Sequence, residues 1–171
     1  MKKSELGTEE FSHFYATYLN TLDDVELNEA LLKGKEWFSN FLNELPESKL
    51  QYRYGPDKWT IAEVLLHLID TERIFQYRAF RFSRNDMTPL PGFEQDGYIL
   101  ESESKKRTKD DILNEYLAVR NATISLFKDM SVRKLKRVGT ASNMPWSVAA
   151  LGFVISGHQK HHANIILERY L

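Results

Sequence analysis

Trp59-Thr60-Ile61-Ala62-Glu63-Val64-Leu65-Leu66-His67-Leu68-Ile69-Asp70-Thr71-Glu72 is the stretch on which the reading of this chain turns. Thr60 offers a hydroxyl to the free N–H groups of a helix start, and Glu63, three residues on, completes a capping box. Trp59 before the cap and Val64 after it have the spacing of a hydrophobic staple. Apolar residues then recur at helical spacing, which predicts a helix from Thr60 to about Ser83. Two polar residues interrupt its apolar stripe. His67 lies on the flank of the stripe, beside Val64 and Thr71. Glu72 falls near its centre, among Ile61, Val64, Leu65, Leu68 and Phe75. A carboxylate in that position has to be paired, protonated or set against a bound ion.

Helical periodicity extends outward on both sides. A segment from about Leu27 to Leu45 carries Leu31, Trp37, Phe38, Phe41, Leu42 and Leu45 on one face, with Pro46 just past its end. An aromatic-rich segment from Glu9 to Leu22 reads as a short additional helix. After Ser83 comes a long connection, 84–108, punctuated by Pro89, Pro91, Gly92 and Gly97. A link of that length is functional or crosses from one end of a bundle to the other. A fourth helix is expected from Lys109 to Met130, with Ile112, Tyr116, Val119, Thr123, Leu126 and Phe127 on its apolar face and Arg120 at the border. A basic connection through Gly139 and Asn143 leads to a last helix, Ser147 to Tyr170. Trp146-Ser147-Val148-Ala149 echoes Trp59-Thr60-Ile61-Ala62 at this second helix start. No segment reads as a strand. The expected fold is all-α, four long helices in one bundle with a short N-terminal helix, in a single domain.

The last helix carries three of the five histidines, in His158-Gln159-Lys160-His161-His162. Residues four apart share a helical face, so His158 and His162 can chelate one ion. Both fall within the stripe of Ser147, Leu151, Val154, Ile155, Ile165 and Ile166, and so should point inward. His161 sits at its edge, and His13 lies far away in sequence; both read as ordinary histidines. With His67, the pair would give three imidazoles from two helices and leave open positions, the pattern of a reactive site rather than a closed structural one. Imidazole suits zinc, nickel and iron alike. Spacing alone also fits histidines that are simply packed in a core.

Composition narrows the functional classes. The chain has 171 residues, a net charge of −1 and no cysteine, so a thiol nucleophile, a disulfide and a thiolate metal site are excluded. The basic runs at 105–109 and 133–137 are broken or flanked by acids and lack interleaved aromatics, which argues against nucleic acid as a partner. No run approaches the ~20 apolar residues of a membrane span, and the first residues lack the apolar run of a signal peptide. A cytoplasmic location and a small-molecule substrate are expected, with a homodimer left open. No glycine-rich phosphate loop or nucleophile elbow is present.

The 59–72 stretch and the terminal His158–His162 pair together resemble the DinB-like (YfiT-like) metalloenzyme superfamily, over about Leu27 to the end of the chain. The resemblance implies an up-down-down-up four-helix bundle whose one histidine in the second bundle helix and pair in the last hold a metal. The 84–108 connection suits that topology. The implied activities are metal-dependent hydrolysis, or transfer of a low-molecular-weight thiol of the bacillithiol or mycothiol kind. The alternative is a non-catalytic bundle in which a structural metal or packed histidines only stabilise the helices, acting by dimerisation or as a ligand-binding or stress-related protein. Glu72 then has two readings: a catalytic group moving a proton beside the metal, or the buried partner of Arg120 that fixes helix register. Asp96 and Tyr98, on the long connection, are placed to reach over the site.

Overall fold

The computed structural model describes residues 1–171. Its helices are α1 (Ala16–Leu19), α2 (Leu27–Glu44), α3 (Ile61–Ser83), α4 (Gln95–Glu101), α5 (Lys109–Phe127), α6 (Val132–Leu135) and α7 (Val148–Arg169), with strands β1 (Val138–Ala141) and β2 (Met144–Ser147) before α7. The four long helices begin and end close to where their periodicity places them. Thr60 caps α3 by accepting from the Glu63 N–H at 3.2 Å, while Glu63 accepts from the Thr60 N–H at 2.7 Å. Ser147 caps α7 through the Ala150 N–H. No helix is long and apolar enough to cross a membrane.

Contacts between helices fix the topology. Arg73 pairs with Glu115, and Gln76 bonds Thr123, so positions rise together and α3 runs parallel to α5. Asn28 bonds Lys128 while Lys109 bonds Leu45, making α2 antiparallel to α5. The Tyr170 hydroxyl donates to Trp59 O at one end, and Phe75 meets Trp146 at the other, making α3 antiparallel to α7. The result is up-down-down-up, with the 84–108 segment as the crossover between the two parallel helices.

The apolar core is in two halves. One gathers Leu27, Leu31, Phe75, Phe82, Phe127, Trp146 and the start of α7. The other gathers Phe38, Leu42, Ile61, Leu65, Ile69, Ile112, Tyr116 and the end of α7. Between them lies a buried polar waist. Arg120, fully buried, donates through Nε and Nη2 to the two Glu72 oxygens at 2.8 and 2.7 Å. It also donates through Nη1 to Leu31 O and through Nη2 to Gln159 Oε1. Thr123 donates to Glu72 Oε1, and the Tyr116 hydroxyl and Gln159 Nε2 complete the set, the latter bonding Gly34 O. Burial opposes the Arg120 charge, but the facing Glu72 carboxylate more than offsets it and raises the guanidinium pKa. A Cβ on Gly34 would lie 2.5 Å from Arg120 Nη1, so only glycine lets α2 approach this closely.

Three expectations are corrected. The 9–22 segment is not one helix: it folds as 3-10 turns at Thr8–Glu10 and His13–Tyr15 followed by the single turn of α1. Its aromatics are spent on tertiary contacts, Tyr15 against Trp146 and Phe75, rather than on a helical stripe. The connection before α7, read as strandless, contains the β1–β2 hairpin, Val138 opposite Ser147 and Ala141 opposite Met144. Ser142 and Asn143 both take positive φ, 52° and 59°, the backbone of a two-residue type I′ turn; four-residue strands are too short to show an alternation. The 84–108 connection also holds α4, and Leu90 pairs with the hairpin through Thr140 O and the Ser142 N–H.

Arg120→Met alone should destabilise the protein by about 3–5 kcal/mol in chemical denaturation, because Glu72 is left charged and unpaired in the core. Arg120→Met combined with Glu72→Leu should recover most of that loss.

Candidate metal centre

Just off the waist, α3 and α7 bring three histidines to one point. His67 is 3% exposed and His158 5%; His162 is half-buried. His158 Nε2 lies 3.0 Å from His67 Nε2 and 3.1 Å from His162 Nε2. Ligand atoms of all three lie within 4.8 Å of one another. His67 is more deeply placed than its flank position suggests. The first half of α3 is covered nearly all round, with Ile61, Ala62 and every residue from Val64 to Ile69 buried, so a single stripe underestimates its inward surface.

The donor set fits a divalent cation. One His158 nitrogen faces two other imidazole nitrogens, and a single proton on it can bridge to only one of them. A cation seated between the three nitrogens would accept all three lone pairs at once. Nitrogens on an ion at about 2.0–2.1 Å sit roughly 3.3 Å apart in a tetrahedral arrangement, close to the 3.0 and 3.1 Å that separate His158 from its two neighbours. Thr71 Oγ1 lies 3.4 Å from His67 Nδ1, where an Nδ1–H can donate to it and leave Nε2 free for a ligand.

Burial keeps all three imidazoles neutral. It pushes His67 down to about 4. It takes His162 to about 3, aided by the neighbouring His67 and His161. His158 falls well below its ordinary value through burial and then the other histidines. Neutral imidazole is the form that binds metal.

The surroundings come from several segments. The Trp59 ring is 5.0 Å from the His67 ring. Tyr18, from α1, packs edge-on with its ring centre 5.0 Å from that of His158 and 5.2 Å from that of His161. Gly157 permits this, since a Cβ there would meet Tyr18 O at 2.4 Å. A cleft of about 370 Å³ opens beside His162, walled by Tyr54, Trp59, Val64, Ile165 and Tyr170, with Asp57, Lys58 and Asp96 also lining it. Asp96 thus reaches the site region, whereas Tyr98 does not line the cleft. His13 is exposed on its turn, apart from the cluster.

Glu72 is not in the histidine cluster; both its oxygens are occupied by Arg120 and Thr123, the arrangement of the register reading. Sequence reasoning did not single out Gln159 or Tyr18. Gln159 left a faint signal, a neutral amide facing inward beside His158. Tyr18 left none, because its contact with α7 spans 140 positions of sequence.

The profile of the DinB superfamily matches residues 30–166, well over half of the chain. The chain belongs to the DinB superfamily. In three dimensions it is similar to YfiT from Bacillus subtilis, described as a probable metal-dependent hydrolase with an unusual four-helix bundle topology. That likeness has a TM-score of 0.71 at 17% identity, covering 95% of this chain and 90% of YfiT. No curated protein matches the chain in sequence.

An imidazole held neutral by burial takes up a proton when the chain unfolds, so its contribution to stability is intact above pH 6.5 and declines as pH falls through about 4 and about 3. Thermal melts of the metal-free protein should fall in Tm from pH 7 to pH 4, and His162→Gln should flatten that slope. An unchanged slope in the variant would count against a burial-driven shift.

Proposed function

We propose that this DinB protein is a metal-dependent hydrolase of a small substrate, with His67, His158 and His162 holding one divalent ion through their Nε2 atoms. The observation that carries the reading is the convergence of three neutral imidazoles beside an open cleft. The fold shared with YfiT, itself described as a probable metal-dependent hydrolase, supports it. Zinc and nickel suit such a nitrogen set best, with iron also compatible. A divalent ion held by neutral ligands keeps its full charge and supplies Lewis acidity, bringing the pKa of a water or a small thiol toward neutrality.

The chain's own residues would do the rest. Tyr54, Trp59, Ile165 and Tyr170 give the cleft aromatic and aliphatic walls that bind an apolar portion of the substrate and shed water from it. Hydrolysis of an ester or amide adds the oxygen of water to the carbonyl carbon, and its proton goes to the leaving oxygen or nitrogen. We assign that transfer to the Asp96 carboxylate, which lines the cleft and carries no ion pair, rather than to Glu72. Glu72 serves as a positioning residue: with Arg120 and Gln159 it fixes α3 against α7, and so the separation of His67 from His158.

Elemental analysis of the purified protein should find about one equivalent of divalent metal, lost in His158→Ala and in His162→Ala with helicity retained by circular dichroism. No metal in the wild type, even after reconstitution, would sink the proposal. Metal whose removal merely unfolds the chain would favour a structural role instead. In a screen of esters and amides, with small thiols plus an electrophile as a rival arm, Asp96→Asn should lower kcat about a hundredfold with metal content unchanged. Asp57→Asn is the comparison and should have a much smaller effect.

A further inference from the structure

His158 is the shared member of the histidine set. Its Nε2 is 3.0 Å from His67 Nε2 and 3.1 Å from His162 Nε2, so one ion can take all three only if this ring is turned to the right plane. The last torsion of a histidine does not fix that plane, because it is broad and roughly two-fold. Groups packed against the ring have to do so. His67 has two of them: Thr71 Oγ1 stands 3.4 Å from its Nδ1, and the Trp59 ring lies 5.0 Å away. His158 makes its polar contacts through Nε2, with the two histidines that would share its ion. The aromatic ring set against it from outside that group is Tyr18, 5.0 Å between centres with 77° between planes.

Tyr18 is itself tied down at several points. Gly157, immediately before His158, lets the backbone of α1 rest on α7: a Cβ there would lie 2.4 Å from Tyr18 O and 3.3 Å from Leu19 N. The Thr21 hydroxyl joins the two segments at the same place, 2.7 Å from Tyr18 O and 3.2 Å from Gly157 O. Leu19 is buried in the core beside it. Phe14 and Tyr15 pack on the Tyr18 ring, 6.3 and 6.0 Å between centres. A single turn of helix is marginal on its own, so these ties fix the ring. We infer that Tyr18 is a positioning residue of the metal centre, holding the His158 imidazole in the plane that aims Nε2 at His67 and His162. The inference rests on the metal reading above. A ring already held in its ligating plane loses less freedom when an ion binds, and affinity rises accordingly.

The test is calorimetric titration of Zn²⁺ alone into the whole metal-free protein, as wild type, Tyr18→Phe, Tyr18→Ala and Gly157→Ala. An edge-to-face aromatic pair is strong enough to shift an equilibrium about two- to tenfold, so Tyr18→Ala should weaken Zn²⁺ by about fivefold. Tyr18→Phe should bind like the wild type, and Gly157→Ala, which lifts α1 from α7, should bind at least as weakly as Tyr18→Ala. A second measurement separates positioning from general loosening. In the metal-free protein, diethyl pyrocarbonate should modify His158 several-fold faster in Tyr18→Ala than in the wild type, with His67 unchanged, as located by peptide mass spectrometry. Equal acceleration at both histidines would mean only that the bundle had loosened, and would overturn the inference. So would wild-type affinity in Tyr18→Ala, or a loss in Tyr18→Phe as large as in Tyr18→Ala. A wild type that takes up no Zn²⁺ overturns the metal reading and this inference with it, whereas Zn²⁺ binding that Tyr18→Ala leaves untouched overturns the inference alone.

Discussion

Arg120 sits among four helices with no access to water, and its guanidinium has to find every partner inside the protein. It takes a carbonyl from α2, both carboxylate oxygens from α3 and an amide oxygen from α7, while its own helix supplies Thr123 to the same carboxylate. An apolar contact tolerates sliding by a fraction of a turn, whereas a bidentate guanidinium–carboxylate pair does not. The pair therefore favours one relative register of the two apolar halves of the core. A hydrophobic replacement of matched shape would serve stability as well or better. What the pair contributes is position.

That position matters because the histidines are attached to it. His67 stands five residues before Glu72 on α3, and His158 stands next to Gln159 on α7. A one-turn slip of α3 against α7 would move an imidazole by about 5.4 Å, further than the whole spread of the three ligand atoms. The same burial that makes Arg120 demanding makes the imidazoles neutral. One low-dielectric layer thus holds a charge that is fully paired and a set of lone pairs that is not. It keeps its firmness on one side and its binding capacity on the other.

The elements outside the four helices shape access to that layer. The N-terminal segment lays Tyr18 against His158, and Thr21 donates to Gly157 O, so α7 is covered on that side. The hairpin and the crossover are tied to α3 by Arg78, which donates to Pro91 O and Ser142 Oγ. The crossover then carries Asp96 to the cleft beside His162. Short, irregular pieces held at a few points do the enclosing, while the long helices do the positioning.

The sequence by itself determined the parts whose causes are local. Capping at Thr60 and Ser147, 3.6-residue periodicity and the four-residue spacing of His158 and His162 all act within one or two turns, so the four long helices and the inward-facing pair were legible. The burial of Glu72 was legible as a demand for a partner, and Arg120 as a candidate to meet it. Only the tertiary structure shows which groups the Glu72 oxygens bond, because Arg120 lies 48 positions away. The same holds for the depth of His67, set by segments covering α3 from several sides, and for Tyr18 and the cleft lining, which come from distant stretches. The hairpin escaped notice because its turn is Ser142-Asn143 without glycine and its strands are four residues long. Periodicity reports what a segment does along its own axis, and a site made where several axes meet is written in none of them alone.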